Sequence, residues 1–107
     1  MALPRLTHLQ FVVAAELARQ PAAGRALRDR LRAAGVRQSG PAFYQLMAGL
    51  EDQGLISGWY EQQIVDGQII RERHYKLLAP GARALDDSYA FYHRPSGLRR
   101  PGLANAT

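Results

Sequence analysis

The sequence predicts a mainly α-helical fold with one small β-hairpin, and three observations lead to this fold class. In the first half of the chain, apolar residues recur at helical spacing in three short segments. The next segment, from Leu55 onward, is rich in residues typical of strands, and Asp66-Gly67 divides it with a strong two-residue hairpin signal. A last segment, from Pro80 to about Tyr92, returns to helical spacing. The predicted order is three helices, a two-stranded hairpin and a C-terminal helix.

The first two helices are predicted from start and stop signals. Thr7-His8-Leu9-Gln10 has the form of a capping box, in which the Thr oxygen and the Gln side chain satisfy free amide groups at a helix start. Pro21 ends this helix near Gln20, and its apolar residues are Leu9, Val12, Val13 and Leu17. The second helix is predicted from about Ala23 to Ala34, with Gly35 after it. Its apolar face is formed by Leu27 and Leu31, and the rest of its surface carries Arg25, Arg28, Arg30 and Arg32.

The third helix has a cap at each end and two different faces. Ser39 or Gly40 can cap its start, Pro41 suits the first helical position, and Gly54 suits a left-handed C-terminal cap. Its apolar face, predicted to lie in the core, consists of Phe43, Leu46, Met47 and Leu50. The opposite face is small and polar and has no need to pack, so another molecule can approach it closely: Tyr44, Gln45, Ala48, Gly49 and Asp52.

The hairpin is predicted from Leu55 to Leu78, with its register set by the turn. If Asp66-Gly67 is the turn, Val65 faces Gln68, Gln63 faces Ile70 and Gln62 faces Arg71. A bulge would shift this register by one residue and exchange the two faces. We expect a mainly polar and basic tip, and a base that packs against the helices through Trp59, Tyr60, Tyr75 and Leu77.

The last helix carries two apolar stripes, one formed by Leu85, Tyr89 and Tyr92 and the other by Ala84, Ser88 and Phe91. A terminal helix of a small domain can bury one stripe against its own core, so the other predicts contact with a second chain. The predicted dimerisation residues are Leu85, Tyr89, Phe91 and Tyr92. We therefore expect one domain over residues 1–93 that includes a dimerisation helix, followed by a basic, disordered tail over residues 94–107.

Composition narrows the classes of function. The 107 residues carry a net charge of +5, and the 14 basic residues include a single lysine, Lys76. An arginine-rich surface suits a polyanionic partner such as double-stranded DNA, although an arginine-rich genome would give the same count. The absence of cysteine excludes disulfides, zinc–thiolate sites and thiol catalysis. No apolar run is long enough for a membrane span and the N-terminus lacks a signal-peptide pattern, so we expect a cytoplasmic protein without membrane contact.

No arrangement of residues indicates catalysis or a cofactor. His8, His74 and His93 are far apart in sequence and in no ligand spacing, so a metal site is not expected. There is no Ser/His/Asp arrangement, no carboxylate pair in an apolar setting and no phosphate loop. The predicted protein is therefore not an enzyme and needs no cofactor.

Three helices followed by a hairpin, with a polar face on the third helix, is the order of a winged helix-turn-helix. In that architecture a helix enters the major groove of DNA and the hairpin, or wing, reaches the backbone or the minor groove. The predicted DNA-binding residues are Arg37, Ser39, Gly40, Ala42, Tyr44, Gln45, Arg71 and Arg73. Two alternatives stay open: Tyr44 can be a half-buried packing residue, and the wing arginines can form a cross-strand ion-pair ladder with Glu61 and Glu72.

The stretch GPAFYQLMAGLEDQGLISGWYE, residues 40–61, the later DGQIIRERHYKL, residues 66–77, and the spaced Gly81 resemble the PadR family of bacterial winged-helix transcriptional regulators. The similarity covers roughly Leu6 to Tyr92. The order and spacing of these motifs together are more specific than any one of them. The resemblance implies a homodimeric, repressor-like DNA-binding protein that can answer to a small-molecule effector of unknown identity. This chain departs from the family's Leu-Thr-x-x-Gly pattern before the last helix, where it has Leu77-Leu78-Ala79-Pro80-Gly81 and so lacks the Thr, and in the shortness of its C-terminal region.

The main hypothesis is a sequence-specific regulator, a repressor, that binds a pseudo-palindromic DNA site as a homodimer. The alternative from another class is a winged-helix protein–protein interaction module that does not bind DNA and uses the aromatic last helix instead. Surface charge discriminates between the two, because a basic third helix and wing favour DNA. The C-terminal end of the third helix is neutral to acidic, through Gly49, Glu51 and Asp52.

Overall fold

The structure is a computed structural model that describes residues 6–93; the predicted tail, residues 94–107, lies outside the described residues. Four helices are present in this range: α1 (His8–Arg19), α2 (Gly24–Ala33), α3 (Gly40–Asp52) and α4 (Ala79–His93). The strands are β1 (Ala22–Ala23), β2 (Ile56–Val65) and β3 (Gln68–Leu77), which form an antiparallel sheet in the order β1-β3-β2. The predicted winged helix-turn-helix is confirmed, and β1 is an addition to its predicted two-stranded wing.

The predicted caps are present at the starts of α1 and α3. The Thr7 hydroxyl accepts a hydrogen bond from the Gln10 amide at 3.1 Å, and the Gln10 side chain accepts one from the Thr7 amide at 3.0 Å. Ser39, and not Gly40, caps α3, because its hydroxyl accepts from the Ala42 amide at 3.2 Å. Gly40 is therefore the first helical residue, and the proline follows it.

The core is formed by the predicted apolar faces. Phe43, Met47 and Leu50 of α3 are buried, and Leu46 packs against them from the rim. They meet apolar residues from α1, α2, the wing base and α4, chiefly Val13, Leu17, Leu27, Leu31, Leu55, Ile56, Tyr75 and Leu85. Because the core fixes this face of α3, the opposite face of the helix is turned to solvent.

The wing has the predicted register without a bulge. Val65 pairs with Gln68, Gln63 with Ile70 and Gln62 with Arg71. The turn residues Asp66 and Gly67 have φ angles of 52° and 77°, which is the conformation required of both central residues in a type I′ turn. The local turn chemistry therefore decides which side chains share each face of the wing.

Two predictions about the wing surface are wrong. The tip is not mainly polar and basic as predicted, since beside its polar residues Ile64 and Ile69 form a cross-strand pair with 78% and 71% of their surfaces exposed. Strands of 10 residues rise about 34 Å, so the tip extends beyond the reach of the helices that cover the base. Tyr60 does not pack against the helices either; it is 54% exposed, and its ring meets wing arginines instead.

The start of α4 is held against the start of β2 by a close backbone approach. The Leu78 amide donates to the Leu55 carbonyl at 3.0 Å. Gly81 passes so near this carbonyl that a Cβ atom at Gly81 would collide with it. This close packing therefore requires a glycine at position 81. Within residues 6–93, no helix combines the length and the apolar character of a bilayer-spanning segment.

Candidate nucleic-acid interface

The N-terminal half of α3 presents the predicted reading residues on the surface. Ala42 and Gln45 are exposed, and Tyr44 is 45% exposed. Ser39 and Arg37, in the turn before the helix, are also exposed, while Gly40 is partly covered. These predicted residues therefore lie together at one end of the helix, where its first amide groups are directed outward.

Tyr44 combines exposure with packing, so neither of the two expectations for it describes it fully. Its ring meets the ring of Phe43 edge-on, with centroids 5.0 Å apart. Its hydroxyl lies close to Gly24 at the start of α2, where an added Cβ atom would stand 3.0 Å from it. The ring is thus held from one side while the other side faces solvent.

Arg28 supports the turn between α2 and α3, a role that the sequence analysis did not identify. Its Nη2 atom donates to the Gln38 carbonyl at 3.2 Å, and its Cζ atom lies 5.8 Å from the centroid of the Phe43 ring. The signal available in the sequence was its position next to Leu27 and Leu31, at the edge of the apolar stripe. Two other α2 arginines form ion pairs, Arg25 with Glu72 at 4.0 Å and Arg32 with Asp29 at 3.2 Å.

One face of the wing carries the two predicted arginines around a shared aromatic ring. The Cζ atoms of Arg71 and Arg73 lie 4.3 Å and 4.9 Å from the centroid of Tyr60. Arg71 is exposed and forms no ion pair with any residue in the 6–93 range. Its guanidinium is therefore held by stacking and keeps donors that can bind another molecule.

Arg73 is bound within the chain. Its Nη2 atom donates to Glu51 Oε1, near the C-terminal end of α3, at 2.6 Å. This hydrogen bond raises the pKa of Arg73 above its ordinary value; partial burial opposes the rise, and the charge of Glu51 adds to it. The two wing arginines therefore differ in what they can offer to a ligand.

The expected ion-pair ladder of the wing arginines with Glu61 and Glu72 is not formed. Glu61 and Glu72 face each other across the strands, on the face opposite to the arginines. Glu61 instead accepts a hydrogen bond from Trp59 Nε1 at 2.7 Å and lies 3.7 Å from His74 Nε2. The alternation of side chains along a strand separates the acidic residues from the arginines.

The exposed aromatic surface of α4 continues onto α1. Tyr89, Phe91 and Tyr92 are 43%, 37% and 58% exposed. Phe11 of α1 meets the rings of Tyr89 and Tyr92 edge-on at centroid distances of 5.1 Å and 6.3 Å. Leu85, the fourth residue predicted for dimerisation, is only 5% exposed and belongs to the core of its own chain, so it supports the helix from inside.

No cluster of three or more His, Cys, Asp or Glu side chains suitable for a metal ion occurs within residues 6–93. Burial raises the pKa of Tyr75 to about 12, and this residue lies under Arg73, whose Cζ atom is 5.8 Å from the ring centroid. Tyr75 therefore belongs to the packing of the wing base.

A scan against protein-family models gives no match, and a search of curated proteins gives none. Among solved structures, a PadR family transcriptional regulator from Eggerthella lenta DSM 2243 is 30% identical, with a TM-score of 0.64 and coverage of 79% of this chain and 71% of that chain. A PadR family transcription regulator from Clostridium difficile R20291 has a TM-score of 0.70 at 16% identity, covering 80% of this chain and 88% of that one.

Bacillus subtilis PadR, solved in complex with operator DNA, has a TM-score of 0.64 at 16% identity, and the match covers 94% of this chain but 57% of that one. At such identities the second and third likenesses concern the fold alone. The first combines 30% identity with coverage of more than two thirds of both chains, and it agrees with the helix, turn and wing motifs of the sequence. The chain belongs to the PadR family of transcriptional regulators.

Proposed function

We propose that this protein is a DNA-binding transcriptional repressor that acts as a homodimer on a pseudo-palindromic site. One observation carries the proposal: the start of α3 is exposed, and the wing that follows this helix presents Arg71, whose charge is unpaired within residues 6–93. The contact of Arg73 with Glu51 joins the wing and the helix into one surface. The similar Bacillus subtilis protein was solved with operator DNA, which supports DNA as the proposed partner.

The α3 residues suit the major groove by size and by hydrogen-bonding groups. Gln45 carries an amide that can pair with the edge of adenine, and the small Ala42 allows close approach. Ser39 and Gly40 lie at the helix N-terminus, where backbone amides favour phosphate. Arg37, in front of the helix, and Arg71, on the wing, supply charge for phosphate contacts. Tyr44 completes the proposed surface with one exposed ring side.

Binding to DNA from the protein's own genomic neighbourhood tests the proposal. Arg71→Gln should weaken binding to all sequences and lower the slope of log K against log salt by about one. Gln45→Ala should change base preference at one position by about 1–3 kcal/mol. Arg83→Gln removes the same charge from an exposed position on α4 and serves as the matched control. Salt-insensitive binding by the parent, or no binding, would contradict the proposal.

The aromatic surface formed by Phe11, Tyr89, Phe91 and Tyr92 is the proposed dimer contact. Two-fold symmetry then brings one α3 helix per chain to successive major grooves, with half-sites about 34 Å apart. Occupying such a site in a promoter would block transcription. A small-molecule effector at this surface would meet exposed aromatic rings, which suit an apolar aromatic compound.

A protein–protein interaction module is the second candidate, and one observation favours it. Residues 6–93 contain ten basic and nine acidic side chains, so the described domain is nearly neutral while α4 exposes aromatic rings. The DNA-binding experiment separates the two candidates. A module that binds protein through α4 would show no salt-dependent DNA binding, and Arg71→Gln would leave its partner affinity unchanged.

A further inference from the structure

One ion pair connects the wing to α3. Arg73 Nη2 and Glu51 Oε1 are 2.6 Å apart, and the two side chains are only 27% and 24% exposed. A short, charge-assisted hydrogen bond in a partly covered position has a more definite geometry than an ion pair in open solvent. The pair links Arg73 of β3 to Glu51 near the C-terminal end of α3, so its length limits how far the wing can swing from the helix.

Neighbouring residues enclose this pair and leave it little freedom. Beside it lies Gly58 of β2, where an added Cβ atom would stand 2.8 Å from both Arg73 Nη2 and Glu51 Oε1. The rings of Tyr60 and Tyr75 lie 4.9 Å and 5.8 Å from the Arg73 Cζ atom. The guanidinium therefore fills the angle between the wing and the helix, with a glycine opposite it that leaves the required space.

We infer that Arg73 and Glu51 are positioning residues that set the angle between the wing and α3, and that Arg73 does not bind phosphate directly. The inference rests on the proposed function, because the angle matters if helix and wing must reach one DNA duplex together. Arg71 lies on the same wing face, two residues nearer the tip, and has no such partner among the described residues. The two arginines thus have different tasks: Arg71 contacts phosphate, and Arg73 holds the wing.

Glu51 provides the sharpest test, since its charge and its proposed role predict opposite results. An acidic side chain near a DNA-binding surface repels phosphate, so its removal should strengthen binding if charge alone matters. If Glu51 holds the wing through Arg73, its removal should weaken binding because the wing loses its fixed position. Glu51→Gln keeps the shape of the side chain and changes only the charge.

The DNA experiment compares Glu51→Gln, Arg73→Gln and their double variant with Arg71→Gln, a matched change on the same strand face. We expect Glu51→Gln and Arg73→Gln each to weaken binding on the order of tenfold. The double variant should bind no more weakly than either single variant, because both remove one contact. Arg71→Gln should lower the salt slope by about one, whereas Arg73→Gln should leave it unchanged.

A measurement without DNA keeps the inference separate from the proposed function. The chain has no cysteine, so Ala48→Cys and Ile64→Cys, both at exposed positions, allow spin labels on α3 and on the wing. Diluting labelled chains with an excess of unlabelled chains limits the signal to distances within one chain. Glu51→Gln and Arg73→Gln should broaden the distance distribution, and Arg71→Gln should not.

The outcomes distinguish the positioning role of Arg73 and Glu51 from the proposed DNA-binding function. If Glu51→Gln and Arg73→Gln broaden the distances while the parent protein does not bind DNA, the proposed function would be contradicted and the positioning role supported. Unchanged distances in both variants, or tighter DNA binding by Glu51→Gln, would overturn the inference. A salt slope lowered equally by Arg73→Gln and Arg71→Gln would also overturn it, since both arginines would then contact phosphate.

Discussion

At the scale of single residues, Arg71 and Arg73 carry the same group on one face of one strand, yet they have different surroundings. Both stack on Tyr60, but Arg73 also donates to Glu51. The space for this bond exists because residue 58 has no side chain. The environment, and not the residue type, therefore decides what each arginine can do.

Gly58→Ala tests this dependence on space without changing any charge. The new methyl group should push the guanidinium and the carboxylate apart and weaken DNA binding in the way Glu51→Gln does. The free energy of unfolding should change by less than about 1 kcal/mol, because the lost pair is offset by the gain from replacing a strand glycine. Titration with operator DNA and denaturant unfolding measure the two quantities.

Gly49→Ala is the matched control for this substitution. Apart from the adjacent residues and the backbone of its own helix, no heavy atom lies within 4 Å of a Cβ built at Gly49, and alanine is more stable than glycine in a helix interior by about 0.5–1 kcal/mol. This variant should be slightly more stable. Normal DNA binding by Gly58→Ala would contradict the expected effect of crowding the pair.

The exposure of Ala42 and Gln45 could be predicted from the sequence, whereas the partner of Arg73 could not. The apolar stripe of α3 fixes which face points to solvent, and this pattern is local. Glu51 and Arg73 are 22 positions apart, and their contact depends on the angle at which the wing leaves the helix. The spacing of apolar residues within α3 or within the wing does not determine that angle.

At the scale of elements, the wing base is anchored by β1, which joins the sheet through two residues. Ala22 pairs with Tyr75 and Ala23 with His74. A strand this short has no alternation to reveal it, and its pairing exists only because β3 passes the end of α1. The longer elements were predictable because the capping box at Thr7 and the Asp66-Gly67 turn act through neighbouring residues.

The buried Tyr75 at this base predicts a loss of stability in alkali. Burial raises its pKa from 10 to about 12, so the unfolded chain loses the phenol proton more readily than the folded chain. The corresponding stability is complete below about pH 10 and decreases between about pH 10 and pH 12, at up to about 1.4 kcal/mol per pH unit. Denaturant unfolding across this range measures the decrease.

Tyr75→Phe removes the titrating group and keeps the ring, so it is the control for this slope. Its unfolding free energy should fall less steeply over the same range than that of the parent. Equal slopes in the two proteins would assign the alkaline loss to other groups.

At the scale of the whole molecule, charge is distributed unevenly along the chain. With ten basic and nine acidic residues between positions 6 and 93, four units of the net charge of +5 come from Arg5, Arg94, Arg99 and Arg100. The composition as a whole therefore overstated how basic the described domain is. DNA binding by this domain would depend on where individual arginines lie, chiefly Arg37 and Arg71.

Tyr92→Glu tests the proposed dimer. The side chain is 58% exposed beside Phe11, so a carboxylate there should leave the fold intact and oppose burial against a second chain. Sedimentation equilibrium should detect a larger monomer fraction at each concentration than for the parent. Asp86→Asn, at an exposed α4 position, is a control for charge changes on the same helix and should leave the association unchanged.

Leu55 is the backbone position at which α3, β2 and α4 meet. Its amide donates to the Leu50 carbonyl and its own carbonyl accepts from Leu78, each at 3.0 Å, while Gly81 presses against the same peptide. If a partner chain tilted α4, the displacement would therefore be transmitted to α3 through main-chain atoms, which are less flexible than side chains. In the proposed dimer, such a joint would couple assembly to DNA affinity, and thermodynamic linkage makes any coupling of this kind reciprocal: DNA that favours one tilt of α4 would also strengthen the dimer.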